Sequence, residues 1–236
     1  MEPLIEVRNL RFHYPDGTQA LAGVDFKLCP GETVALFGAN GSGKTTFVLH
    51  LNGLLIGEGD VTVCGVRVSR KRLPEIRRKV GIVFQDPDEQ LFMPTVLEDV
   101  SFGPLNLGMQ PDEAIRAAKE ALELTGMSDS LGKAPYHLSA GEKRRVAIAG
   151  VLAMRPEVLV LDEPTTFLDP HGQRRLIELM QKLPQAKVVV THDTYFARAI
   201  ASRAVFFRKG AIVDEGSVGD VIRKFCWEPQ PARKDN

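Results

Sequence analysis

Short runs of almost unbroken apolar residues recur along this chain. Residues 33–37, 80–84, 158–161 and 187–191 are four or five residues long and carry much β-branched valine. That length and composition predict strands buried on both faces. The first run leads at once into a glycine-rich turn and a helical pattern over 44–54. Buried strands alternating with helices predict an α/β fold with a mainly parallel sheet flanked by helices. Near the start, 5–7 and 24–28 read as strands of an antiparallel layer, and 61–68 as a strand pair broken at Gly65. Near the end, 204–207 and 211–214 read as a hairpin turned at Lys209 and Gly210.

Between residues 84 and 158 the pattern becomes helical. Pro111 opens a helix over 112–124 that closes near Gly126. A second helix covers 139–154, capped by Ser139 and stopped before Pro156. This stretch is expected to be a helical subdomain, about 87–155, inserted into a single domain spanning 1–227. The segment 228–236 carries two prolines and is expected to be a disordered tail.

A chain of 236 residues buries enough surface to need no disulfide or structural metal. Lys plus Arg and Asp plus Glu are 30 each. That balance gives no broad basic face, so no nucleic-acid partner is expected. Cys29, Cys64 and Cys226 stand singly, without metal-ligand spacing, as in a reducing compartment. No basic start with a long apolar stretch marks a secretory signal. No apolar run is long enough to cross a bilayer, so work at a membrane would require docking on a partner.

The strongest chemical signal is Gly38-Ala-Asn-Gly-Ser-Gly-Lys-Thr-Thr46, which fits the phosphate-loop pattern. Gly38, Gly41 and Gly43 let the backbone curl, so that amides along Asn40, Ser42, Lys44, Thr45 and Thr46 can face phosphate oxygens. The helix that follows adds its positive N-terminus. Lys44 supplies a full charge to the β- and γ-phosphates of ATP, and the Thr45 hydroxyl a Mg²⁺ ligand. A second signal is Val158-Leu-Val-Leu-Asp-Glu-Pro164, a buried strand ending in two acids, where open α/β sheets bind ligands. Asp162 is assigned to the Mg²⁺ shell and Glu163 to the attacking water.

The third segment, Leu138-Ser-Ala-Gly-Glu-Lys-Arg-Arg-Val-Ala-Ile-Ala149, resembles the signature of the ABC ATPases, LSGGQ at the start of a helix. Alone it also reads as an ordinary Ser-capped helix. The resemblance implies that Ser139, Gly141 and Glu142 cover the γ-phosphate held by a second subunit. Ala140 departs from the usual glycine, and Phe167 from the usual small residue. Further marks follow in the family's order. Tyr14 resembles the aromatic that stacks on adenine. Gln85 resembles the glutamine that senses Mg²⁺ and γ-phosphate, Asp169 the acid that couples two sites, and His192 the histidine that contacts the γ-phosphate.

Residues 83–104 and 141–154 are similar to the energy-coupling-factor subfamily, especially its cobalt/nickel-type ATPases. That likeness implies a second ATPase subunit, the same chain or a close paralogue. It also implies a transmembrane coupling protein docking near residues 85–100, with Phe92, Met93 and Val96 as apolar contacts, and a substrate-binding membrane protein reached indirectly. The expected place is peripheral, on the cytoplasmic face of the cell membrane. A vitamin importer and a soluble, non-transport ABC ATPase remain the alternatives.

Overall fold

Four strands are buried at every position: β3 (Thr33–Phe37), β6 (Val80–Val83), β7 (Val158–Asp162) and β8 (Ala186–Val190). In the computed structural model, which describes residues 2–227, they lie side by side in a six-stranded sheet. Its order is β10-β9-β3-β8-β7-β6, where β9 is Arg203–Arg208 and β10 is Ala211–Gly216. Neighbours from β9 to β6 run parallel; β10 closes the edge as the antiparallel partner of β9. A second sheet, order β2-β1-β4-β5, is antiparallel and built from β1 (Ile5–His13), β2 (Gln19–Leu28), β4 (Glu58–Val63) and β5 (Val66–Arg67).

The pleat of the large sheet sorts its side chains between two cores. Val34, Leu36, Val158, Val160, Val188 and Val190 face the antiparallel layer and α1 (Lys44–Leu51). Leu159, Leu161 and Val189 face the helices on the other side. Those helices are α3 (Val96–Asn106), α4 (Pro111–Leu124), α5 (Ala140–Ala153) and α6 (Pro170–Lys182). The set is completed by α2 (Leu73–Lys79), α7 (Thr194–Ile200) and α8 (Val218–Lys224). Between β6 and β7 the chain is helical, through α3, α4 and α5, which pack on one another.

Several boundaries differ from the sequence reading. Helix α1 stops at Leu51 and not at residue 54, because Gly53 turns into the left-handed region (φ 71°) and Asn52 ends the ladder. Strand β7 continues through Asp162, so that carboxylate sits on the sheet. Helices α2, α3, α6, α7 and α8 have no counterpart among the predicted elements. Three of them start at Asp or Ser caps, Asp169, Asp193 and Ser217, each accepting a backbone amide. The expected tail at 228–236 lies outside the described residues.

Candidate active site

The turn from β3 to α1 is shaped by glycines that nothing larger can replace. Gly38 has φ 141°, and a Cβ there would sit 2.4 Å from the Phe207 carbonyl and 2.8 Å from Ser42 Oγ. At Gly43, φ 105°, a Cβ would meet the Ala20 carbonyl at 2.6 Å. Lys44 is buried, its Nζ donating to the carbonyls of Gly38 (2.6 Å) and Ala39 (3.0 Å). Burial pushes its pKa down, while the nearby Glu163 and Asp162 carboxylates oppose that shift. The ammonium is thus folded over the mouth of its own loop. Ser42 Oγ is buried there without a partner.

Thr45 Oγ1 donates to Asp162 Oδ2 at 2.9 Å, joining α1 to the end of β7. The other oxygen of Asp162 is buried and accepts nothing. Burial raises this carboxyl, against the opposing pull of Thr45, Lys44 and Arg144. A hydroxyl and a carboxylate with one unused oxygen are hard oxygen donors suited to Mg²⁺, and the neighbouring Lys44 ammonium is placed to pair with phosphate beside it. These residues therefore fit the ion expected there.

Glu163 follows at once, with its backbone in the left-handed region (φ 43°). Its Oε2 accepts the His192 amide at 3.2 Å, and its Oε1 is buried without a hydrogen bond. Burial, the largest influence, pushes this carboxyl up to about 7, with Asp162 adding to the rise. The His192 ring reaches back across the site. Its Nε2 lies 3.1 Å from Asn40 Oδ1, which accepts from it, and 3.3 Å from Glu163 Oε1 without hydrogen-bond geometry. Burial first, and then Lys44, lower the imidazole pKa. Asn40, Lys44, Thr45, Asp162, Glu163 and His192 thus meet in one place.

Other predicted residues stand apart from that cluster. The Tyr14 hydroxyl shares a hydrogen bond with Thr46 Oγ1 (3.0 Å), and its ring, 37% exposed, edges against Phe12. Ser139, Gly141, Glu142 and Asp169 line a separate cleft of about 500 Å³. There the tip of α5 is closed by its own side chains. Ser139 Oγ donates to Glu142 Oε2 (2.7 Å), which also accepts the Ser139 amide, while Glu142 N donates back to Ser139 Oγ (3.3 Å). Asp169 caps α6 by accepting the Gly172 amide at 2.6 Å. Phe167 projects into solvent from a left-handed backbone (φ 64°), a conformation strained for a bulky residue.

Gln85 lies exposed beyond β6, and its carbonyl is tied down by a residue that the sequence reading did not select. Arg144 of α5 is 1% exposed and donates to the carbonyls of Phe84 and Gln85. It fastens α5 to the end of β6. The available signal was a charged residue one turn into a helix whose next positions, Val146 to Ala149, are apolar. Of the apolar contacts expected near 85–100, Phe92 is 62% exposed but Val96 is fully buried in the helical core and offers no surface. The reason is helix α3: Thr95 caps it, and Val96 and Val100, a turn apart, face inward. Phe102, edge-on to Phe92 at 5.0 Å, is exposed in its place.

A glycine-cornered turn between a parallel strand and a helix, with lysine, threonine and a strand-end acid pair, defines a P-loop ATPase. Residues 21–166 match the ABC transporter family, and the chain belongs to it as an ATPase domain. The energy-coupling factor transporter ATP-binding protein EcfA of Methanothermobacter thermautotrophicus is 49% identical, over 93% of this chain and 73% of that protein. Among solved structures, cbiO1 from Clostridium perfringens, part of the ABC transporter complex cbiONQ, is similar at TM-score 0.83 and 37% identity. That match covers 95% of this chain and 92% of cbiO1. The ATP-binding cassette MJ0796, a dimer in a post-hydrolysis state bound to ADP and Pi, is similar at TM-score 0.82 and 30% identity, covering 91% and 98%.

Proposed function

We propose that this chain is the ATP-hydrolysing subunit of an energy-coupling-factor importer, with cobalt or nickel ion as cargo. The observation that carries the enzymatic part is the Lys44–Thr45–Asp162–Glu163–His192 cluster at the mouth of a phosphate-shaped loop. The name of the 49%-identical relative supports the energy-coupling-factor type. The cargo rests on the likeness of residues 83–104 to cobalt/nickel-type ATPases. The 37%-identical neighbour from the cbiONQ complex favours the same direction. A vitamin such as biotin is the nearest rival cargo.

ATP lies with its phosphates on the amides of residues 38–46. Lys44 leaves the Gly38 and Ala39 carbonyls for the β- and γ-phosphates, exchanging neutral acceptors for charged ones. Tyr14 offers its ring to adenine. Thr45, Asp162 and Gln85 are the residues that would hold Mg²⁺, and the ion would neutralise charge on the phosphates. Glu163 orients the attacking water and takes its proton. A carboxyl raised to about 7 is matched to proton transfer near neutral pH. His192, beside Asn40, contacts the γ-phosphate. Two copies, or this chain and a close paralogue, sandwich two nucleotides, as the dimeric neighbour suggests. Each covers the other's γ-phosphate with Ser139, Gly141 and Glu142, and Asp169 couples the two sites.

No helix among the described residues is long and apolar enough to cross a membrane. The chain therefore reaches the bilayer through a transmembrane partner, docked on the groove where Phe84, Phe102, Gly103 and Met154 line about 370 Å³. Single-turnover and steady-state hydrolysis by the reconstituted complex test the reading. Glu163→Gln should keep nucleotide affinity while turnover falls at least about 10²-fold. Undiminished turnover in that variant would contradict the role given to Glu163.

A further inference from the structure

The ring that completes the catalytic cluster is held from a place that the hydrolysis machinery does not explain. Trp227, the only tryptophan in the chain, stacks on His192, with ring centroids 5.5 Å apart and planes inclined by 26°. We infer that Trp227 is a positioning residue for His192, setting the imidazole plane from the C-terminal end of α8. This rests on the role proposed above for His192.

The placement of Trp227 is built, residue by residue, by the end of a helix. After Lys224 the chain turns through Cys226 in the left-handed region (φ 50°). The Trp227 amide then bonds to the Ile222 carbonyl (3.0 Å) and the Cys226 amide to the Arg223 carbonyl (3.2 Å). These are the two bonds of a Schellman cap, which fixes the direction of the residue that follows it. The indole is then gripped by aromatic edges. Phe206 of β9 meets it T-shaped at 5.1 Å, and Phe37, the last residue of β3, lies at 6.5 Å. Phe225 stacks on the same Phe206 at 3.7 Å, and Arg208 lies over both rings. A continuous series of rings therefore runs from α8 through β9 to the imidazole.

The imidazole needs that support. Its side chain is 41% exposed. The hydrogen bond to Asn40 fixes one edge, yet a single bond at 3.1 Å leaves the ring free to rotate about it. The indole covers a face and removes that freedom. The held ring keeps its Nε2 3.3 Å from Oε1 of the proposed base, Glu163.

Two measurements on the full-length protein decide the matter. The first is tryptophan emission of the wild type against His192→Ala, without nucleotide. Removal of the imidazole should shift the emission to the red as solvent replaces it; identical spectra would overturn the stack. The second is ATP hydrolysis by Trp227→Leu and Trp227→Phe. For Leu, kcat should fall about two- to twelvefold with KM little changed, the rate equivalent of ~0.5–1.5 kcal/mol for an aromatic pair. Phe, which keeps a ring, should recover most of the rate. A Leu variant with unaltered kcat, or a Phe variant as slow as Leu, refutes positioning by the ring. If the reconstituted wild-type complex itself fails to hydrolyse ATP, the proposed function falls, while the emission spectra still decide the stack.

Discussion

Replacing Glu163 by glutamine should make the nucleotide-free protein more stable, and increasingly so as pH rises. The Glu163 side chain is 14% exposed, and its Oε1 has no hydrogen bond. Its carboxyl is raised from 4.5 to about 7, chiefly by burial. The direction of the linkage follows from that rise. The folded state resists ionisation, so the unfolded chain gives up the proton first. Stability is intact below about 4.5 and is lost as pH climbs to about 7. A rise of that size corresponds to ~3 kcal/mol. By the linkage relation, about 1 kcal/mol of the penalty is felt near pH 5 and nearly all of it near pH 8. Glutamine cannot ionise and escapes the penalty, whatever constant offset its amide adds. The stability gap between Glu163→Gln and wild type should therefore widen by ~2 kcal/mol between those two pH values, or about 4–8 °C in Tm for a chain of this size. Urea unfolding at both pH values, without nucleotide or Mg²⁺, measures it. Asp162, raised by the same burial, acts in the same sense and loses a like-charged neighbour in the variant. A gap that stays flat, or closes as pH rises, would refute the picture of Glu163 as a carboxyl denied its charge by burial.

The same physics extends to other positions. Burial and the neighbouring Glu157 push the Cys64 thiol up to about 11; Cys64 should therefore resist a thiol reagent that labels exposed Cys29 and Cys226, as read by mass spectrometry of the folded protein. Arg144→Met keeps bulk but strands the Phe84 and Gln85 carbonyls, so unfolding stability should drop by about 2–6 kcal/mol; a loss under ~1 kcal/mol would mean the carbonyls find other donors. Glu142→Gln preserves a capping box while removing an anion from the tip of α5, where a phosphate from the second copy would dock. MgATP-dependent association in a Glu163→Gln background should strengthen about two- to fivefold, and unchanged or weaker association would count against that docking.

Which parts of this structure were legible depends on whether the signal was local. The buried strands were, because four or five apolar residues bounded by turns leave few other readings; β3 matches its expected range in full. The phosphate loop was legible for the same reason: Gly38 and Gly43 are forced by contacts with Phe207 and Ala20, but the pattern they leave is contiguous. Helices α3 and α6 escaped notice although each has a capped start. In α3 Pro104 breaks the apparent pattern, and in α6 a polar face dominates the sequence, with Leu176, Ile177 and Met180 alone buried. Val96 was misplaced on a docking surface because an apolar residue near a partner groove looks the same in sequence as one facing inward.

The residues that escaped the sequence reading share a physical feature: their partners are distant in the chain and of unremarkable type. Arg144 acts on carbonyls some sixty positions away, and a carbonyl carries no side-chain signature. Trp227 meets His192 only because a helix end, β9 and β3 converge there. Motif reading finds groups that touch the nucleotide, since phosphate dictates which residues surround it. It does not find groups that hold those residues still, since any well-packed contact serves. Differences in activity among chains with identical motifs should therefore be sought in the supports of His192, Gln85 and Glu163 rather than in the motifs themselves.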